Sequence, residues 1–449
     1  MSADQLHSSL SRYKQGLYQK KLSLQGRLNS LVGLALQAEG CDAPVGSRCR
    51  ISTEGGVAIE AQVIGFNHGC TLLMPAGPVH GLSPKASVTL IADKLRFNAG
   101  AGLLGRVIDA NGNPIDDKGP LIDCYETELS SDPVDPLKRD SVSDAFDVGV
   151  RCINGLLTLG KGQRVGLFSG SGVGKSALLG MMSKYSEADV TVLALIGERG
   201  REVNDFIRDT LGVEGMKRCV VVAVPADQPP LLRLQGAMLA TAIAEEFCSE
   251  KKQVLLMVDS LTRFAQAQRE IGLATGEPPT SKGYPPSVFS LLPQLVERAG
   301  GIRGGGAITA IYTVLAEGDD HNDPIVDAAR AVLDGHIVLS RTLSDAAHYP
   351  AIDIGASVSR TKNSVTSKAQ QQLTSQAMQY SAAYQQNADM IRVGMYQRGS
   401  DDQLDRAVQV WPKLQQYLRQ ELDEKVSLDQ ACEQLLDAVE LSPDVGDVS

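Results

Sequence analysis

The stretch Val165-Gly166-Leu167-Phe168-Ser169-Gly170-Ser171-Gly172-Val173-Gly174-Lys175-Ser176-Ala177 decides the fold of this chain. Val165 to Phe168 reads as an apolar strand and Ala177 opens a helix, with a glycine-rich loop ending in Lys-Ser between them. Glycines let consecutive backbone N–H groups turn inward around an anion, and the following helix adds the positive end of its dipole. Ser169 to Ala177 is therefore expected to cradle nucleotide phosphates, with Lys175 reaching the β- and γ-phosphates and the Ser176 hydroxyl offered to Mg²⁺. The strict spacing G-x-x-x-x-G-K-[ST] wants glycine where this chain has Ser169, and Gly170, Gly172 and Gly174 keep the cradle. A glycine-rich turn carrying an accidental lysine is the plain alternative, which the strand-loop-helix context disfavours.

Around this loop, between about residues 150 and 345, apolar strands alternate with helical stretches, the pattern of a parallel sheet covered by helices. The expected strands are Val165 to Phe168, Val190 to Ile196, Val220 to Val224, Val254 to Val258 and Ala307 to Leu315. Such a sheet binds ligands beyond the carboxyl ends of its strands, which singles out two acids. Asp259 follows Val254 to Val258 directly, where a carboxylate holds Mg²⁺, in part through its water. It could instead cap the next helix, a role open to Ser260 as well. Glu198 follows Val190 to Ile196 through Gly197, where a carboxylate could polarise the attacking water. It is followed by Arg199-Gly200-Arg201-Glu202, so a surface charge cluster is the competing reading.

The 449 residues exceed what one hydrophobic core usually serves and point to two or three domains. From about Leu31 to Ala92 short β-rich runs separated by glycine turns, such as Val57 to Ile64 and Ser87 to Ile91, suggest a small β-barrel. Asp109-Ala110-Asn111-Gly112-Asn113-Pro114 and Asp132-Pro133-Val134-Asp135-Pro136 mark a turn-rich connection. Beyond Thr361 the chain becomes Gln-rich and helical. Ser427-Leu428-Asp429-Gln430 reads as a capping box, and Ser400 before two aspartates suits another helix start. The expected division is a docking helix over 1–28, a barrel over 29–95, a parallel-sheet α/β core over 96–362 and a helical domain over 363–449.

The first 30 residues place Leu6, Leu10, Tyr13 and Leu17 at helical spacing, with Arg12, Lys14, Lys20, Lys21 and Arg27 against the single acid Asp4, a net +4. A basic amphipathic helix can dock on a partner or an anionic surface, or simply pack on its own domain. The net charge of -10 argues against duplex nucleic acid as the main partner. The eight cysteines show no metal-ligand spacing and read as free thiols in a reducing cytoplasm. No apolar run approaches the roughly 20 residues of a membrane span, so membrane association would go through partners.

From about Gly105 to Arg360 the chain resembles the hexameric export ATPases of type III secretion, relatives of the catalytic subunits of rotary ATP synthases, which implies that the α/β core over 96–362 is RecA-like. The likeness is carried by Gly105 to Asp109, the phosphate loop, Gly197 to Glu202, and Asp259-Ser260-Leu261-Thr262-Arg263-Phe264. Ala267 to Gly272, Gly283 to Phe289 and His348-Tyr349-Pro350-Ala351-Ile352-Asp353 add to it. The flagellar branch fits best, because Glu317 to Asp320 and Asp323-Pro324-Ile325 resemble its segment before Leu333-Asp334-Gly335-His336-Ile337. The alternative is the injectisome branch.

The resemblance implies that Glu198 activates water, that Arg199 and Arg263 lie near the phosphates, and that Tyr349 stacks on adenine. It implies that Arg360 is an arginine finger given to the neighbouring subunit, and hence a homo-oligomer, by family a hexamer; the plain reading of Arg360 is a surface salt bridge. By the same route come a negative regulator on the N-terminal helix, a coiled-coil stalk, an export gate with its substrates and chaperones, and a cytoplasmic place beside the inner membrane. A non-catalytic nucleotide-binding ring subunit would carry glutamine at Glu198. A hexameric RNA translocase would carry a basic, aromatic barrel, whereas Phe66 is the only phenylalanine, tyrosine or tryptophan between Leu31 and Ala92.

Overall fold

The computed structural model describes residues 25–53, 55–56, 58–129, 134–315 and 323–440. The proposed docking helix falls mostly outside these residues, as does the Glu317 to Asp320 segment. Two compact units divide the chain, 1–96 with 270–277, and 97–269 with 278–449.

In the first unit six antiparallel strands close into a barrel in the order β1-β2-β5-β4-β3-β6. They are β1 (Gln25–Val32), β2 (Ala35–Glu39), β3 (Arg48–Ser52), β4 (Ala58–Asn67), β5 (Cys70–Pro75) and β6 (Ser87–Ala92). The strands alternate inward and outward residues, so Leu28, Leu36, Ala38, Cys49, Ile51, Val63, Leu73 and Val88 fill a small interior. Pairing of Gln25 with Thr89 closes the ring and leaves no free edge. Residues 25–28 therefore belong to the barrel, not to the helix expected over 1–28: Leu28 is buried in its interior.

The second unit is built on a sheet whose main path is β14-β13-β8-β12-β11-β9-β10-β7. These strands are β7 (Val107–Ile108), β8 (Arg164–Ser169), β9 (Val190–Ile196), β10 (Cys219–Val224), β11 (Gln253–Asp259), β12 (Ala307–Leu315), β13 (Gly335–Leu339) and β14 (Ile352–Ser359). All pair in parallel except β14, which is antiparallel to β13. β9 and β10 are buried along their whole length, as a sheet covered on both faces requires. All five strands expected from sequence are present, three of them a residue longer at one or both ends.

Three C-terminal helices, α6 (Lys368–Gln386), α7 (Asp402–Leu418) and α8 (Leu428–Val439), pack on α1 (Arg151–Leu156). Leu414, Tyr417 and Leu435 join Ile153, Leu156 and the sheet residues Val165 and Leu167 in one continuous apolar core. The helical region thus shares its core with the α/β sheet. The capping box at Ser427 forms as read, with Gln430 donating to the serine side chain and receiving from its backbone. At α7 the cap is Asp401, one residue beyond Ser400, because its carboxylate can accept from both Gln403 N and Leu404 N. No helix of the described residues is long and apolar enough to cross a membrane.

Candidate active site

The order β8-β12-β11-β9 brings the ends of four strands side by side, and the chemistry sits on that edge. β8 ends at the buried Ser169, and the loop then reaches α2 (Lys175–Tyr185). Gly172 and Gly174 take φ values of +78° and +92°, which an L side chain rarely adopts. Gly174 precedes α2 with no side-chain cap, leaving the first helical amides free for an anion. Leu178, Leu179 and Met182 of α2 pack on the same sheet face as Leu167, Ile311 and Met257, so Lys175 and Ser176 lie over the strand ends.

Lys175 Nζ donates to Asp259 Oδ1 at 2.6 Å and to Glu198 Oε1 at 3.3 Å. Asp259 is almost fully buried. Its Oδ1 also accepts from the Thr313 hydroxyl at 2.6 Å. Burial alone would push Lys175 down, but the two carboxylates outweigh it and hold its pKa above the ordinary lysine value. Glu198 is shifted up, first by burial and then by the nearby Asp259 charge and a hydrogen bond with Glu202, against the pull of Lys175. The helix α4 (Leu261–Ala274) is capped by Ser260, whose hydroxyl accepts from Arg263 N at 3.2 Å. Asp259 is thereby free of the capping role left open by the sequence.

The other expected residues are placed as follows. Arg263 lays its stem against Gly197, where an added Cβ would stand 3.0–3.2 Å from it, and donates to Gln266. Arg199, beside Glu198 in sequence, is exposed and paired with Glu202 at 3.1 Å. Tyr349 is 44% exposed, and its ring carbons lie 3.6 Å from the position of a Cβ on Gly174. Its hydroxyl donates to Ser344 O, and its carbonyl accepts from Gln420 N at 3.0 Å, so the C-terminal region braces it.

Arg360 is not brought to this edge. Its amide donates to Asp334 O, and the Asp334 amide donates to Arg164 O at the start of β8. Ser169 stands five positions beyond Arg164, roughly 16 Å along a strand. The Arg360 side chain is exposed and donates to the Arg330 carbonyl. Two contacts escaped the sequence reading. Thr313 is a polar residue inside a buried apolar strand, a signal that was present. Arg341, which donates to the Ser171 carbonyl at 3.1 Å, has no local signature.

The donor set suits a hard, oxygen-seeking cation. Ser176 is exposed at the second position of α2, and both donors to Asp259 land on Oδ1. Mg²⁺ keeps several waters and takes one or two carboxylates plus phosphate oxygens, not an all-protein cage. Among the described residues no cluster of three His, Cys, Asp or Glu could hold a metal alone.

Residues 149–359 match the nucleotide-binding domain of the ATP synthase alpha/beta family, and residues 366–437 match the C-terminal domain of the EscN type III secretion ATPases. The flagellum-specific ATP synthase of Pseudomonas aeruginosa is 53% identical over 409 residues, covering 90% of this chain and 91% of the relative. That of Salmonella typhimurium is 51% identical, covering 91% and 92%. Among solved structures, the assembled EscN ATPase of enteropathogenic E. coli superposes with a TM-score of 0.88 at 41% identity, over 92% of this chain and 100% of that one. EscN in complex with its central stalk EscO gives 0.85 at 40% identity, with the same coverage. A phosphate loop with two strand-end carboxylates, set in relatives that cover nine-tenths of the sequence, makes this chain an ATP-hydrolysing member of the flagellum-specific ATP synthase family.

Proposed function

We propose that the chain hydrolyses Mg-ATP as one subunit of a homohexameric ring, and that this turnover energises or primes type III protein export during flagellum assembly. The observation that carries the reading is Lys175 bridging Glu198 and Asp259 within hydrogen-bond reach at the mouth of a phosphate loop. The higher identity to flagellar relatives, 53% against 41% for EscN, favours the flagellar over the injectisome branch.

Lys175 leaves its carboxylate partners for the β- and γ-phosphates while the loop amides hold the phosphate chain. Ser176 and Asp259 would hold Mg²⁺, which when bound neutralises charge on the β- and γ-oxygens. Glu198, released from Lys175, accepts a hydrogen bond from the attacking water and aligns it in line with the leaving oxygen. Arg199 and Arg263 flank the phosphates, and Tyr349 offers the exposed face of its ring to adenine. Arg360, roughly 16 Å below its own phosphate loop, serves the neighbour's nucleotide, where a guanidinium stabilises charge on the transferring phosphoryl group.

The ring reading agrees with EscN, described as assembled and as complexed with a central stalk. A coiled-coil stalk for this chain, a negative regulator on the N-terminal segment ahead of the barrel, and an export gate with its substrates and chaperones complete the proposal, with a cytoplasmic location at the inner membrane. Steady-state ATPase activity against protein concentration tests it, with mass photometry in parallel. Wild-type specific activity should rise with assembly, while Glu198→Gln and Arg360→Ala each lose about a hundredfold or more. Activity flat with concentration and intact in Arg360→Ala would remove the shared site.

A further inference from the structure

β12 is a buried apolar strand interrupted by two threonines, and each has a distinct partner. Thr309 accepts from Gly162 N and ties down a turn at the far end of the sheet. Thr313 is fully buried two residues before the strand ends, and its hydroxyl donates to Asp259 Oδ1 at 2.6 Å. It sits on the strand between β8, which carries the phosphate loop, and β11, which ends in Asp259.

We propose that Thr313 is a positioning residue for Asp259, holding its carboxylate ready for the metal after Lys175 has moved to the phosphates. The proposal rests on the reading of Asp259 as a metal-holding residue. Oδ1 has two donors, Lys175 and Thr313, both at 2.6 Å. Only one of them is mobile: Lys175 hangs on a four-carbon stem and is the group the phosphates attract. Thr313 is β-branched, stiff at χ1, and set in the middle of a paired sheet. Once Lys175 departs, the Thr313 hydroxyl is the donor that keeps Oδ1 occupied and leaves Oδ2 for the metal or its water. Groups that orient a metal-binding carboxylate in this way typically change metal affinity by about tenfold or more when removed.

The test compares Thr313→Val, which keeps the shape and loses the donor, with Thr313→Ser, which keeps the donor. ADP affinity is measured by calorimetry in MgCl₂ and in EDTA on the full chain, and the half-saturating Mg²⁺ concentration for turnover is measured alongside. The Val variant should lose about tenfold of the Mg²⁺-dependent gain in ADP affinity and need a correspondingly higher Mg²⁺ concentration. Its metal-free ADP affinity should stay within about twofold of wild type, and Thr313→Ser should recover most of the gain. A Val variant with the wild-type Mg²⁺ response overturns the proposal, as does parallel loss of metal-free and Mg²⁺-dependent binding, which marks a packing role alone. If Val does not fold, Ser against Ala asks the same question through the hydroxyl. A wild-type chain whose ADP affinity ignores Mg²⁺ would overturn the metal role of Asp259 itself, a different result from a silent Thr313.

Discussion

Gly155 sits near the end of α1, where an added Cβ would lie 2.0 Å from the Tyr417 hydroxyl and 3.3 Å from its ring carbon Cζ. Gly155→Ala therefore forces Tyr417 back by about 1.4 Å to reach an ordinary contact. That hydroxyl lies within hydrogen-bond distance of two carbonyls, Arg151 O at 3.2 Å and Ala431 O at 3.1 Å. Losing the hydroxyl's one donated hydrogen bond costs about 1–2 kcal/mol, and strain in a packed core adds about 1–3 kcal/mol. The better helix propensity of alanine returns about 1 kcal/mol, leaving a net loss of about 1–4 kcal/mol. The only tryptophan, Trp411, stacks on Tyr384 between α6 and α7, so its fluorescence follows the C-terminal helices. Urea unfolding read at this tryptophan should show a lower midpoint for Gly155→Ala. Midpoints are the right comparison, because a chain with two units need not unfold in one step. Tyr417→Phe removes the clashing atom at a cost of about 1–2 kcal/mol, so the double variant should lose less than the sum of the singles by about 1–2 kcal/mol. An unchanged or raised midpoint in Gly155→Ala, or strict additivity in the double variant, would refute the reasoning.

Arg106 clamps Asp116 through two bonds of 2.8 Å and also donates to Gly119 O, and this guanidinium holds the Asp116 carboxyl well below the usual carboxylate range. Folding therefore favours the ionised form, whose stabilisation is complete above the unfolded pKa of about 3.9 and fades as pH falls toward the depressed folded value. Asp116→Asn should lower the melting temperature at neutral pH and flatten its decline in acid; two parallel curves would contradict this. Ser427→Ala removes the α8 capping box, costs about 1 kcal/mol of stability and should lower the tryptophan-monitored midpoint accordingly, with no change as the contrary result.

The phosphate loop was legible because its chemistry is local. Glycines, lysine and serine occupy consecutive positions, and the flanking strand and helix announce themselves by periodicity. Asp259 and Glu198 were legible because each follows an uninterrupted apolar strand, and parallel sheets put their ligands at that edge. Whether Asp259 or Ser260 capped α4 could not be read, since both side chains are suitable acceptors. The choice follows from Lys175 and Thr313, which claim the carboxylate across 84 and 54 residues of chain.

Strand existence, barrel character and helix caps follow from nearest neighbours along the chain, and there the sequence was sufficient to within a residue or a few. Strand order does not: β8 lies between β13 and β12 because long-range pairing of buried faces, not local propensity, selects the partner. That order makes Thr313 the neighbour of Asp259 and sets Arg360 at the opposite edge from its own phosphate loop. It also fuses the C-terminal helices with the sheet through α1, where the absence of one Cβ at Gly155 makes room for Tyr417. Such contacts join residues far apart in the chain, 54 positions for Thr313 and Asp259 and 262 for Gly155 and Tyr417, and only the packed chain decides them.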